Sequence, residues 1–117
     1  MKRVIVNADD FGADPSRNDG IVEAVEAGVV SSISILANTP FMAETLGGIT
    51  RIRSSRISFG AHINLSEGRP LSHVSRFLVD GDGTFHGKVV ARKILLKKSD
   101  RQLEKEVEDE VRAQIGF

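Results

Sequence analysis

The chain has 117 residues, which is enough for one ordinary domain with a hydrophobic core. Its 16 basic and 16 acidic residues give a formal net charge of +0, so charge gives no reason to expect a nucleic-acid or membrane partner. With Cys 0, thiolate chemistry is excluded, and any metal must be held by His, Asp, Glu or backbone oxygen. No membrane-span or signal-peptide pattern is visible, and we predict a cytoplasmic protein.

Three short β-like runs organise the front half of the chain. They cover residues 3–7, 32–37 and 57–65. The first run is apolar on both faces, which is typical of a parallel strand that is covered on both sides. Each run ends in a polar or turn-forming segment. We therefore predict three strands of one parallel sheet.

Helical signals fill the gaps between these strands. Asp14 can cap a helix whose first residue is Pro15, and Gly28 marks the expected C-terminal end. Apolar positions in this region repeat at helical spacing: Ile21, Val22, Val25 and Val29. A weaker helix is predicted over residues 41–46, broken by Gly47-Gly48.

The predicted order β-α-β-α-β has strand starts roughly 25–30 residues apart, which suits right-handed parallel crossovers. We therefore expect an α/β fold, in a sheet or a barrel. Barrel closure takes about 250 residues, so the chain is predicted to be an incomplete domain.

The pattern loosens after Pro70. Residues 80–83 form a turn that is predicted to join two short β-segments, residues 77–79 and 84–85. A helix is predicted over residues 88–97.

A last helix is predicted to start near Ser99-Asp100. One side of this helix is charged, and we expect that side to be solvated. One face is apolar at steps of four residues: Leu103, Val107, Val111 and Ile115.

Two adjacent carboxylates, Asp9 and Asp10, follow the first predicted strand, where α/β folds place their chemistry. Adjacent side chains point in different directions, so one could ligate a divalent cation while the other acts as a general base. The alternative is a loop whose acids cap the next helix, but Asp14 already supplies that cap. Phe11-Gly12 allows a tight backbone turn.

His62 is the second candidate, near the end of the third predicted strand and at the same sheet edge as Asp10. Neutral imidazole is a common metal ligand, although a strand histidine is more often an ordinary core or surface residue. His73 and His86 lie in polar loops, and we expect them to be exposed.

Three further segments could contact a substrate. Asn18 lies one turn into the first helix and Asn38 follows the second strand, although both also suit ordinary helix-start and turn roles. Residues 67–70, with Glu67 and Arg69, form either a substrate loop or a simple strand-ending turn.

Three motifs in order then resemble a known family. They are VNADDFG at residues 6–12, NDGI at 18–21 and GAHINLSEGRP at 60–70. At these separations the chain resembles the YdjC/ChbG family of carbohydrate deacetylases, well over residues 3–70 and weakly over residues 71–117. We predict residues 1–117 to be the N-terminal part of a single such domain.

The resemblance implies a (β/α) barrel-like fold, often dimeric, that removes N-acetyl groups from amino sugars or oligosaccharides with Mg²⁺ or Zn²⁺. Asp10 would be the metal carboxylate, His62 the first metal histidine and Asp9 the base, although the two Asp roles could be reversed. The family's second metal histidine would lie beyond residue 117. Asn18, Glu67 and Arg69 are the candidate substrate residues, and a homodimer is expected.

Two alternatives stay open. One is a non-catalytic carbohydrate- or metal-binding remnant of the fold. The other is a hopanoid-biosynthesis-associated hydrolase of the same family, since a fold does not fix a reaction.

Overall fold

The computed structural model describes residues 2–52, 56–73, 76–96 and 100–116. The chain divides into two compact units, Met1–His62 and Ile63–Phe117. Each unit is considered by itself below.

The first unit is a three-stranded parallel sheet with two helices. Strands β1 (Asn7–Phe11), β2 (Ser32–Ile35) and β3 (Ser58–Ala61) lie in the order β1-β2-β3. Helix α1 (Pro15–Glu26) connects β1 to β2, and α2 (Met42–Arg51) connects β2 to β3. The predicted α/β architecture with parallel strands is confirmed.

The strand boundaries differ from those predicted. β1 begins at Asn7, where the apolar run that was predicted to be the strand ends. Val4 is 82% exposed. Pairing with the adjacent strand starts only at Val6, whose carbonyl accepts from the Ser31 and Ser32 N–H groups. β2 and β3 are also shorter than the predicted runs, since a strand extends only as far as its neighbour pairs with it.

Helix α1 begins as the sequence predicts. The Asp14 carboxylate accepts from the Arg17 N–H, Pro15 is the first helical residue, and Gly28 lies just beyond the end with a φ of 74°. The core of this unit is formed by Phe11, Ile21, Val22, Val25 and Ile33. Val29, predicted on the same face, is exposed because it follows the helix end.

Helix α2 runs through Gly47-Gly48, so the predicted break is wrong. A Cβ at Gly48 would come within 2.8 Å of the Phe11 ring, whereas one at Gly47 would meet open space. The glycine at position 48 therefore lets the helix approach the core. This packing offsets the low helix propensity of the glycine pair.

The second unit contains helices α3 (Lys88–Leu95) and α4 (Arg101–Ile115), with Asp100 as the α4 N-cap. A single antiparallel bridge joins Val79 to Phe85 across the predicted turn, instead of two longer β-segments. Residues 97–99, on which parts of both helix predictions fell, lie outside the described ranges. The core cluster of this unit is Leu78, Phe85 and Leu103.

The face of α4 that was predicted to be solvated is partly buried. Glu106, Glu110 and Gln114 are all at most 3% exposed. The Glu110 carboxylate accepts from the Leu71 and Ser72 N–H groups, and Glu106 accepts from those of residues 76 and 77. The backbone hydrogen bonds offset the cost of burying these two carboxylates. Across residues 2–52, 56–73, 76–96 and 100–116, no helix is long and apolar enough to cross a membrane.

Candidate active site

A β-bulge in β1 presents both candidate carboxylates. Ala8 pairs with Ile33 and Phe11 with Ile35, so three steps along β1 match two along β2. The extra residue puts Phe11 on the core-packed side along with Ala8. Without the bulge, strand alternation would have sent Asp10 to that side. The side chains of Asp9 and Asp10 can therefore both contribute to a site at the sheet edge.

Asp10 takes the left-handed conformation of the bulge, with a φ of 62°. Its N–H donates to His62 Nδ1 at 3.2 Å, and its Oδ1 lies 3.3 Å from the same nitrogen. Its other carboxylate oxygen pairs with the Arg17 guanidinium at 3.0 Å. The backbone and side chain of Asp10 thus converge on one histidine nitrogen.

His62 follows β3 directly and is held in the sheet, because its N–H donates to the Ile35 carbonyl at 2.8 Å. Nδ1 accepts the Asp10 N–H, so in the neutral ring the proton lies on Nε2 and the lone pair of Nδ1 faces Asp10. The predicted proximity of His62 to Asp10 is therefore present in the structure.

Asp9 points to a different set of partners. Its Oδ1 accepts from the Asn7 amide at 2.6 Å and from the Ser34 hydroxyl at 2.7 Å. The hydrogen bond from Ser34, with help from that of the Asn7 amide, lowers the pKa of Asp9 below its ordinary value. Asp9 is thus held as a carboxylate.

The first turn of α1 forms a hydrogen bond with the backbone that follows the bulge. The Asn18 Oδ1 accepts from the Gly12 N–H at 2.6 Å, and Gly12 has a φ of 106°. Asn18 is buried at 3% exposure, and its amide nitrogen has no partner among the residues that the structure describes. The substrate role of Asn18 stays a prediction.

The other predicted substrate residues, Glu67 and Arg69, belong to the second unit. Glu67 pairs with Lys88 at 3.4 Å, and its N–H donates to the Asn64 side chain. His73 is exposed as predicted, whereas His86 is half-buried.

Sequence analysis gave no role to three members of the site: Asn7, although it lies within the VNADDFG motif, Ser34 and Arg17. Asn7 and Ser34 lie at alternating positions of their strands, two residues before Asp9 and two after Ser32. That alternation, polar on one face and apolar on the other, was the available signal. Arg17 carried no signal, because its contact with Asp10 depends on the angle at which α1 leaves the bulge.

Two side chains of the kinds that can ligate metals, Asp10 and His62, come together here, and the part of the chain that the structure describes contains no group of three His, Cys, Asp or Glu placed to hold a metal ion. Asp10 and His62 together offer one carboxylate and one imidazole nitrogen, a donor set that suits zinc and similar cations.

The chain that carries this strand-end site matches a known protein family. The family model described as YdjC-like protein matches residues 3–116. The chain therefore belongs to the YdjC-like family, as its motifs predicted.

Relatives named carbohydrate deacetylase occur in several organisms. The mouse protein is 45% identical over 96 residues, covering 80% of this chain and 30% of that protein. The human protein is 40% identical over 117 residues, covering 97% and 35%. The Listeria welshimeri protein is 38% identical over 113 residues, covering 97% and 44%.

A crystal structure from Enterococcus faecalis V583, of a protein named for cellobiose-phosphate cleavage, superposes with a TM-score of 0.74 at 32% identity. The match covers 95% of this chain and 41% of that one. The mouse and human relatives are matched over about a third of their length, so the chain corresponds to a part of each.

Proposed function

We propose that the protein carrying this chain is a metal-dependent carbohydrate deacetylase, which hydrolyses N-acetyl groups of amino sugars or oligosaccharides. The names of the relatives support the reaction class. The observation that carries the proposal is the convergence of Asp9, Asp10 and His62 at the carboxyl end of the sheet.

The donor atoms suit a divalent metal, Mg²⁺ or Zn²⁺. Asp10 Oδ1 and His62 Nδ1 are 3.3 Å apart. The Asp10 carboxylate and the His62 imidazole would hold the ion, with further ligands from outside this pair; Nδ1 could ligate only by giving up the Asp10 N–H that it accepts here. Arg17 would balance the second oxygen of Asp10.

When bound, the metal supplies positive charge that polarises the acetyl carbonyl and makes a water easier to deprotonate. Asp9 accepts the proton of that water as general base, and the water oxygen attacks the carbonyl carbon. The C–N bond then breaks as the sugar nitrogen takes up the proton held by Asp9, which restores the Asp9 carboxylate, and acetate leaves.

Substituting each carboxylate by its amide separates the two roles. Asp9→Asn is expected to lower acetate release by about 100-fold or more with little change in metal affinity, because it removes a base. Asp10→Asn is expected to weaken Zn²⁺ or Mg²⁺ binding as well as activity, and Asn tolerates the left-handed backbone. Calorimetric metal titration and an acetate assay on the complete protein give both readouts.

Asp19→Asn serves as the control, because Asp19 lies on the same helix turn as Asn18 and pairs with the exposed Arg51 at 2.6 Å. The assignment is reversed if Asp9→Asn loses the metal and Asp10→Asn keeps it. It is wrong if both variants release acetate at the rate of the unsubstituted protein.

A non-catalytic binding protein of the same fold is the second candidate, favoured by the presence of two donors instead of three in the described ranges. Metal or sugar binding without acetate release would support it. The hopanoid-associated hydrolase, the homodimer and the cytoplasmic location stay predictions.

A further inference from the structure

Ser34 lies between Asp9 and His62. It is the third residue of β2, the central strand, and pairs with Gly60 of β3. On the other side, the pairing of Ala8 with Ile33 puts Asp9 next to Ser34 on β1. Asp9, Ser34 and Gly60 therefore lie at one level across the three strands.

The Ser34 hydroxyl contacts three polar groups. Its oxygen is 2.7 Å from Asp9 Oδ1, 3.4 Å from the Asn7 amide nitrogen and 3.5 Å from His62 Nδ1. A hydroxyl has one proton to donate, and the carboxylate at 2.7 Å is the partner that takes it. An oxygen lone pair accepts from the Asn7 amide, and Nδ1 of His62 lies near the hydroxyl without a proton to give it.

Gly60 leaves space beside this hydroxyl. A Cβ at Gly60 would have no heavy atom within 4 Å. The sheet surface next to Ser34 is therefore open on the β3 side, while Asp9 is held on the β1 side.

We infer that Ser34 is a positioning residue: its hydroxyl fixes the Asp9 carboxylate so that one oxygen is held by the protein and the other faces the reacting water. The inference rests on the proposed function for its catalytic meaning. Ser34 lies 3.5 Å from His62 Nδ1, but in this scheme it binds neither the metal nor the sugar, and it acts through Asp9.

The test compares Ser34→Ala with Ser34→Thr and Ser32→Ala in the complete protein. Ser34→Ala removes the hydroxyl, and Ser34→Thr keeps it on a side chain that strands favour. Ser32→Ala removes the same group from the same face of β2, about 6.6 Å towards the start of the strand. Thermal melting confirms that all three fold.

Ser34→Ala is expected to lower kcat for acetate release about 10- to 100-fold, the range seen when an orienting partner is lost. KM and the Kd for Zn²⁺ are expected to stay within about twofold, because Ser34 does not act on the sugar or the ion. Ser34→Thr is expected to recover most of kcat, and Ser32→Ala to behave as the unsubstituted protein. A rise in KM with unchanged kcat, or failure of Ser34→Thr to recover kcat, would overturn the inference.

Crystal structures of the same variants give a readout that does not depend on activity. The Asp9 carboxylate is expected to turn away in Ser34→Ala and to keep its place in the other two. If the unsubstituted protein releases no acetate but Asp9 turns in Ser34→Ala, the proposed function fails and the positioning role holds. If Asp9 keeps its place in Ser34→Ala, the inference is wrong whatever the activity.

Discussion

Single residues with unusual backbone conformations define the site. Asp10 has a positive φ, which costs an L-residue about 1–2 kcal/mol and which Asp accepts more readily than most. The cost is offset locally, because the Asp10 N–H donates to His62 and the Ala13 N–H donates back to the Asp10 carbonyl. The bulge is thus stabilised by the same residues that form the proposed metal pair.

Asp80 organises the turn of the second unit in a comparable way. Its Oδ1 accepts from the backbone N–H groups of Asp82 and Thr84 and from the Thr84 hydroxyl. The backbone bond from Thr84, followed by that from Asp82, lowers the pKa of Asp80 below its ordinary value of 3.8. The ionised form is therefore favoured in the folded chain.

A lowered pKa has a definite consequence for stability. The contribution of Asp80 is present above its ordinary pKa and is lost as pH falls through the folded value. Asp80→Asn is expected to lower stability at neutral pH and to flatten the fall in stability as pH falls from just above the ordinary pKa of 3.8 to below it. Urea unfolding midpoints across that range measure both effects.

Asp82→Asn is the matched control, since it changes the same charge in the same turn and leaves the Asp80 acceptor in place. An acid-side slope that is the same in both variants and in the unsubstituted protein would contradict the role of Asp80.

At the scale of elements, packing overrides local propensity in α2. A pair of glycines predicts a break, since each costs a helix about 1 kcal/mol. The helix continues because Gly48 is buried against the Phe11 ring, where a larger residue has no room. Strand β1, which carries Asp9 and Asp10, therefore packs closely on α2 where Gly48 meets the Phe11 ring.

This contact gives a prediction with opposite signs at neighbouring positions. Gly48→Ala is expected to lower the free energy of unfolding, because overpacking costs about 1–3 kcal/mol and improved helix propensity returns about 1 kcal/mol at most. Gly47→Ala is expected to raise it by about 0.5–1 kcal/mol, since its Cβ meets open space. Denaturant unfolding of both variants checks the signs, and equal gains in both would show that α2 does not pack on Phe11.

At the scale of the whole molecule, contacts between distant segments replace regular sheet structure in the second unit. Residues 71–72 and 76–77 donate backbone N–H groups to Glu110 and Glu106, which are 29 to 39 positions away in sequence. Gln114 adds a bond to the Asn64 carbonyl at 2.7 Å and one to Glu110 at 2.6 Å. The segment that includes Glu67 and Arg69 is therefore fixed at both of its ends by α4.

Glu110→Ala is expected to destabilise the chain by about 2–4 kcal/mol, because it leaves two backbone donors without their acceptor. Glu108→Ala is the control: it is two residues away, exposed, and bonded to Arg112 on the same helix, so little change is expected. Hydrogen exchange of the Leu71 and Ser72 amides is expected to accelerate in the first variant alone. Unchanged exchange at these two amides would contradict the tether.

The sequence by itself determined the β-α-β-α-β order, the start of α1 at Asp14-Pro15, the turn at residues 80–83 and the family, because these depend on local spacing and on motifs. The sequence also predicted that Asp9, Asp10 and His62 lie at one sheet edge, since parallel strands end on the same side. Only the tertiary structure decided the rest. The bulge, the continuous α2 and the buried carboxylates of α4 each depend on a partner far away in the chain, and no local pattern records the distance between Ser34 and Asp9.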